Sequence, residues 1–518
     1  MSDLFPNTRR CEPNGTRFRK IASRRAHWQI AAVTVLMLAF FLSGCVQSPV
    51  EPLSSLEHFT AHLNRRVPEL VEQYQIPGAS MALIHEGTLV WSGAYGTADA
   101  GSGRKMTVEA VCRVESISKS VTAWAVMRLV EDGRIDLDAP VHQYLEDWTF
   151  PDTEYAAQKV TVRQLLSHTA GLPLGPIGKG AEYAPQSSRP SLRDYLTREA
   201  RLIRPPGSEF LYSNVGFNLL ELLIEEVSGR DFATHMEEEV LRPLGMRRST
   251  FAWRDSLREY IPMGYEGDGT PVAPYVYPVR ASGGLLAPVE DIARFLRAEM
   301  LSFGDEMDGL LSPESIRMLH APQTDIPGLY GIVADGYGFG HFVEVLPDSR
   351  QAAWHGGQGH GWMSHFHLVP ESGDGIVLLT NSERSWPFFA HVLTAWSTWR
   401  GFGGVKLGRI TDATTALWGL IGLLVIVSLW LLYRLVWALR TQERRFAPLE
   451  RTAWIRRLLQ AVGGIAVLAV VGWSATQPYL IVTSIFPATA GWAGLALCLL
   501  AATLIVSASY PRRAPSVP

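Results

Sequence analysis

Residues 458–511 carry no charged side chain, an uninterrupted run of 54 residues. Only a large dry core or a lipid bilayer accepts such a run, and lipid demands that the backbone close its own hydrogen bonds in helices or a closed barrel. Pro478 and Pro487 bracket a turn inside it. The run therefore divides into two apolar helices, about 458–476 and 488–509, each near the roughly 20 residues that cross a bilayer. A third apolar stretch, 416–433, precedes them, and residues 434–457 between hold seven Arg and two Glu. Arg-rich loops stay on the cytoplasmic side, and Arg512 and Arg513 would do the same. Three spans then leave the preceding chain outside the cytoplasm. Trp418, Trp430, Trp437 and Trp492 sit where an interfacial aromatic belt is expected.

The net charge of −3 over 518 residues hides a division. Residues 1–44 carry +5, residues 45–400 carry −16 and residues 401–518 carry +8. An acidic globule between basic, apolar ends is neither a nucleic-acid binder nor a simple cytosolic enzyme. At the N-terminus seven Arg/Lys (Arg9 to Arg25) precede an apolar run, 30–42, then Leu42-Ser43-Gly44-Cys45. Basic region, short apolar region and small residues describe a secretory signal over 1–44. The tetrad resembles the lipobox of bacterial lipoproteins, which implies lipidation at Cys45; an uncleaved anchor helix is the alternative. Only Cys112 of the four cysteines falls well inside the acidic middle, so no internal disulfide is available there.

Residues 45–55 read as a tether, and 56–400 as one domain. Its pattern predicts a helix over 56–74, then strands 80–85 and 88–93 joined at Glu86-Gly87. A helix over 116–131 is apolar on most sides, as buried helices are. Residues 134–280 are Pro/Gly-rich and helical. Strands return around 337–345, 352–354, 364–369 and 375–380, before a helix at 386–399 and a linker at 401–415. The predicted class is α+β: an antiparallel sheet flanked by helices, an inserted mostly helical subdomain, then three transmembrane helices.

Ser116-Ile117-Ser118-Lys119 carries the sharpest chemistry. Ser and Lys at i, i+3 share one helix face, so Lys119 can take or relay the Ser116 proton, and the helix N-terminus favours a developing oxyanion. Tyr212-Ser213-Asn214 offers a phenol that a nearby cation would favour as phenolate, and an amide that can hold a carbonyl or orient the lysine. His355-Gly356-Gly357 ends a short apolar strand, where glycines let a substrate approach closely. An amide beyond them would complete an oxyanion hole with that of Ser116.

In that order the three elements resemble the penicillin-recognising serine hydrolases, most closely the class C β-lactamase-like branch of β-lactamases, D-Ala-D-Ala peptidases, amidases and esterases. Residues 165–172, 243–246, 282–285 and 337–340 resemble it too. The resemblance implies a β-lactamase/transpeptidase-like fold and an acyl-enzyme mechanism without cofactor or metal. It implies Ser116 as nucleophile, Lys119 as activator and Tyr212 as general base or acid. Asn214, His355, Gly357 and the Gln358 amide would bind substrate. Whether Lys119 or Tyr212 takes the first proton stays open. The third motif departs from the usual Lys-Thr-Gly. A neutral histidine holds an anionic substrate poorly, which favours a peptidase, amidase or esterase over an efficient β-lactamase. The implied partners are a cell-wall-like peptide or ester and a lipid bilayer, at the outer face of a bacterial cytoplasmic membrane, with no nucleic acid.

Two rivals follow from other features. His341, His355, His360, His365 and His367 cluster, and His365 and His367 share a strand face, as some zinc ligands do; a metallohydrolase follows from that spacing. Three spans with short cytoplasmic segments suit a receptor that binds cell-wall fragments or β-lactams without turnover. His168, in Ser167-His168-Thr169, reads as a turn-fixing hydrogen-bonder.

Overall fold

The computed structural model describes residues 55–513 except 304–310, 329, 449, 451–452 and 477–480. The signal segment 1–44, Cys45 and most of the tether lie outside the described residues. Two compact units form among the rest, one of residues 55–414 with 481–491, the other of 415–476 with 492–513.

Helix α1 (Leu56–Gln73) opens the first unit, with the Ser55 hydroxyl accepting from the His58 amide at 3.2 Å. Its Phe59, Leu63, Val67 and Leu70 recur at helical spacing and are buried. Strands β1 (Gly78–His85) and β2 (Thr88–Asp99) follow. Glu86 and Gly87, with φ of 50° and 69°, supply the two left-handed residues of a tight hairpin turn. After β3 (Arg104–Lys105) the chain leaves the sheet for helix α2 (Ser118–Glu131) and a mostly helical region that includes α3 (Asn214–Ser228), α4 (Val289–Phe303) and α5 (Pro313–His320). It returns as β4 (Thr324–Asp325), β5 (Gly336–Tyr337), β6 (Phe342–Val345), β7 (Gln351–Gly359), β8 (Trp362–Val369) and β9 (Asp374–Thr380), and α6 (Trp386–Trp399) follows.

The nine strands form one sheet in the order β3-β2-β1-β9-β8-β7-β6-β5-β4, every neighbouring pair antiparallel. Pairing of β1 with β9, from Ala79 opposite Thr380 to Ile84 opposite Gly375, joins the two distant segments. Met81, Leu83, Ile376 and Leu378 belong to a core with Phe59 of α1 and Phe389 of α6. Their neighbours Ala82, Ile84, Val377 and Leu379 belong to the opposite core with Trp124 of α2 and Phe295 of α4. Alternate residues of a strand point to opposite faces, so a sheet covered on both sides reads as continuous apolar runs. Helix α2 is buried nearly all round, Trp124, Val126 and Met127 included. Each such large apolar side chain contributes about 1.5–3 kcal/mol.

Three helices, α7 (Arg409–Arg440), α8 (Trp454–Ala475) and α9 (Thr489–Ser509), are long and apolar enough to cross a membrane. Helix α7 begins at Arg409, inside the stretch expected as a linker. The expected turn between the last two spans contains a short helix, Ile481–Ile485. That segment belongs to the first unit, where Ile485 and Phe486 pack against the core of α1 and α6.

Candidate active site

Ser116 stands where a tight 3-10 turn, Glu115–Ile117, runs into α2. Side chains of α2 lock this junction to two distant loops. The Ser118 hydroxyl accepts from the Leu285 amide at 3.0 Å, Thr122 donates to the Ala281 carbonyl at 3.0 Å and Ser120 donates to the Gly340 carbonyl at 2.6 Å. The stretches around 282–285 and 337–340, singled out in the sequence, are thus the clamps on the helix that carries Ser116.

Lys119 Nζ donates to Ser116 Oγ at 2.9 Å and to the Ser282 carbonyl at 2.7 Å. The lysine is wholly buried. Burial lowers its pKa to about 7, against the opposing pull of Glu115. Near neutrality much of it is uncharged and able to accept a proton. The Tyr212 ring lies 5.0 Å from Nζ, and burial raises its phenol well above the ordinary value, with a Ser116 hydrogen bond opposing. Burial thus works against the Tyr212 phenolate that the sequence suggested.

Ser213, not Asn214, caps α3, accepting from the Gly216 amide at 2.9 Å while donating to the Pro173 carbonyl at 2.6 Å. That frees the Asn214 side chain from capping. His168 accepts from the Ser213 amide at 3.2 Å, and its ring lies 4.3 Å from that of Tyr212. It therefore supports the Tyr-Ser-Asn loop.

His355 is buried behind Tyr212, their ring centroids 6.2 Å apart. Its Nδ1 lies 2.8 Å from the Gly356 carbonyl, which requires a proton on Nδ1, and its Nε2 accepts from the Tyr337 hydroxyl at 3.3 Å. Burial and then the Lys119 charge hold its pKa well below the ordinary value. A neutral ring with both nitrogens engaged orients neighbours; it supplies no positive charge to a substrate.

The glycines beside it have a different use from the one the sequence suggested. A Cβ on Gly357 would lie 2.3 Å from both the Val114 carbonyl oxygen and Ser364 Oγ, and one on Gly359 would lie 2.2 Å from the Glu115 carboxyl carbon. Their first role is to let β7 lie directly against the turn that holds Ser116. The Gln358 side chain is also committed, accepting from Trp386 Nε1 at 2.9 Å and donating to Ser484 Oγ at 2.8 Å. Only its backbone amide remains for an oxyanion.

Glu115 is the residue the sequence reading missed. It adopts a left-handed φ of 51°, uncommon for a non-glycine, and is almost fully buried beside the buried Arg113. Arg113 Nε and the Tyr275 hydroxyl donate to Oε1 at 3.0 and 3.2 Å, and the Tyr277 hydroxyl donates to Oε2 at 2.9 Å. The Arg113 guanidinium stacks 4.0 Å from the Tyr275 ring. The network fixes the strained residue next to Ser116, and its one local signal was two charges flanking Val114 immediately before the serine.

The five clustered histidines separate. His341 faces Glu299, 3.1 Å away. His360 lies 2.7 Å from Glu182 and 3.0 Å from Glu266, tying the loop 172–190 to the turn after β7. His365 and His367 do share a strand face, 3.5 Å apart, and are fully buried, with His367 3.3 Å from Glu344. The spacing that suggested a catalytic zinc on that strand thus marks core residues.

Residues 63–395 match the Beta-lactamase family. Penicillin-binding protein 4 of Amycolatopsis lactamdurans is 28% identical over 344 residues, 64% of this chain and 87% of the relative. Esterase EstB of Burkholderia gladioli is 28% identical over 366 residues, 62% of this chain and 90% of the esterase. The octameric penicillin-binding protein homologue from Pyrococcus abyssi superposes with a TM-score of 0.56 at 26% identity, over 66% of this chain and 77% of that one.

Proposed function

Because the chain belongs to the β-lactamase family of serine hydrolases, we propose that it is a membrane-anchored hydrolase that cleaves an ester or amide through an acyl-enzyme on Ser116. The observation that carries this reading is the 2.9 Å contact between Ser116 Oγ and a buried Lys119 whose pKa is about 7.

Neutral Lys119 takes the Ser116 proton as Oγ attacks the substrate carbonyl. The amides of Ser116 and Gln358 hold the oxyanion; amides in a helix's first turn have no intrahelical acceptor of their own. Tyr212 gives its proton to the leaving group and recovers one from Lys119. Water then cleaves the acyl-enzyme as the proton transfers run in reverse. Asn214 holds the substrate carbonyl side and orients Lys119, while His355 positions Tyr337 beside Tyr212. With His355 neutral, no fixed cation from the third motif awaits a substrate carboxylate. Esters, amides and peptides without a terminal carboxylate therefore suit the site better than β-lactams. In this reading residues 56–400 are the hydrolase and three helices its anchor; the Arg-rich segment 434–457 supports a position on the outer face of a bacterial cytoplasmic membrane.

The test is a panel of short-chain aryl esters, D-Ala-D-Ala peptides and a chromogenic cephalosporin, run on wild type and Ser116→Ala. Turnover of an ester or peptide by wild type alone is expected. Equal turnover by Ser116→Ala would refute the mechanism, and a stable β-lactam adduct without any turnover would favour a receptor.

A further inference from the structure

We propose that Glu299, His320 and His341 form a binding site for one divalent metal ion of the zinc class, placed behind the Ser116-bearing helix as a structural fastening outside the hydrolytic chemistry. The three residues come from separate elements: Glu299 from α4, His320 from the end of α5, and His341 from the turn before β6. They are 0%, 1% and 0% exposed. Their donor atoms all lie within 4.8 Å of one another.

The tautomer of His341 carries the argument. Its Nδ1 lies 2.9 Å from the Phe339 carbonyl oxygen, a contact that needs a proton on Nδ1. A neutral ring then presents a bare lone pair at Nε2, and Nε2 lies 3.1 Å from Glu299 Oε1. Two acceptors at that distance repel unless a positive charge sits between them, either a proton or a metal ion. The Nδ1–carbonyl bond is the orienting contact that metal-bound histidines commonly make. His320 Nε2 is 3.6 Å from Glu299 Oε2, too long for a good N–H···O bond. Yet 3.1 and 3.6 Å bracket the edge of a tetrahedron built on zinc bonds of about 2.0–2.1 Å, which is about 3.3–3.4 Å. Two imidazoles and one carboxylate are a zinc donor set, with water as the fourth ligand. No donor other than the two imidazoles reaches the Glu299 carboxylate among the described residues, and a buried carboxylate without compensation is costly.

The position gives the ion a purpose. Gly340, next to His341, accepts from Ser120 of α2, and the Phe339 amide donates to the Leu319 carbonyl at 2.9 Å. An ion on these three side chains would tie α4, α5 and the turn at 338–341 to the back of the catalytic helix. This inference does not depend on the hydrolase reading.

The test uses the full chain, untagged, in detergent. Metal analysis after growth with zinc should find about one equivalent per chain, because binding to a preformed site stabilises the fold. Chelation should lower the melting temperature and zinc restore it. Cobalt(II) added to stripped protein should give the visible bands of a tetrahedral site. Glu299→Gln and His341→Ala should each weaken metal binding at least about tenfold, on the scale of lost ligand-shell contacts. Ser116→Ala should keep its metal, which separates this site from the hydrolytic centre. Substoichiometric metal in wild type, with no cobalt spectrum and no thermal shift, would overturn the site and leave a proton between His341 and Glu299. Full retention of metal by both variants would also overturn it. Loss of hydrolysis on chelation at an unchanged melting temperature would overturn the structural role. If the variants do not fold, the wild-type cobalt spectrum and thermal shift decide.

Discussion

Two buried carboxylates serve the same helix from opposite sides, and they are satisfied differently. Glu115, in front, meets the permanent cation of Arg113 and two phenol donors. Glu299, behind, meets only two imidazoles among the described residues. A guanidinium is always charged, so the positive partner in the front network is permanent and can hold a strained residue beside the nucleophile. An imidazole is charged conditionally, so the rear cluster depends on what supplies its positive charge. The same residue type is thus a fixed brace in one place and a candidate ligand in the other.

Substitutions at the front should produce the largest effects. Ser116→Ala and Lys119→Met should each lower kcat/KM by about 10⁴ or more, as removal of members of a nucleophile–base unit does. Lys119→Met should also raise the melting temperature below pH 10. The folded pKa of about 7 lies below the ordinary 10.5, so between those values the unfolded chain binds more protons. Wild-type stability should rise with pH across that window, and the methionine variant should lose the dependence. Glu115→Gln strands the buried Arg113 charge and should cost about 3–5 kcal/mol in denaturant unfolding, with or without chelator. The effect of Glu299→Gln should instead shrink once wild type is stripped of metal. If both substitutions cost the same under both conditions, the contrast between the networks fails.

Smaller effects sharpen the picture. Gly357→Ala pushes a methyl into the Val114 carbonyl and Ser364 and should cost about 1–3 kcal/mol, with kcat falling more than KM rises. Activity should drop on the acid side with an apparent pKa of about 7 in kcat/KM, since protonated Lys119 cannot act as a base. The smallest effect is expected at His360. Burial works against its charged form, but hydrogen bonds to Glu266 and Glu182 raise its pKa above the ordinary value. Its stabilising contribution is therefore complete below about pH 6.5 and is lost as pH rises through the higher folded value. His360→Gln should cost under about 1 kcal/mol, as part-exposed pairs do, and should change KM through the loop that carries Glu182.

What was legible in the sequence was local. The Ser116–Lys119 pair, the hairpin at Glu86-Gly87 and the buried helix follow from spacing within a turn or two, and order along the chain supplied the β-lactamase-like resemblance. Long-range partnerships were not legible. Tyr275 reaches Glu115 across 160 residues, and nothing near either residue announces it. Strand β7 runs on through Gly356, Gly357 and Gly359 because β8 pairs with it up to Gly359 opposite Trp362. Glycines have low strand propensity, so local pattern alone ends the strand at Trp354. In the sequence His341 stands among other histidines, whereas Glu299 and His320 approach it only through the fold. The Ser484 contact to Gln358 lies in the expected turn between two spans, and nothing in that turn announces a partner 126 residues away.

The central claim, that Ser116 is acylated with Lys119 as its base, is tested most directly by intact-protein and peptide mass spectrometry after reaction with a slow ester or a fluorophosphonate. A single adduct on the peptide containing Ser116 is expected, forming faster as pH rises through about 7 and absent from Ser116→Ala. Labelling at another residue, or hydrolysis undiminished in Ser116→Ala, would contradict it.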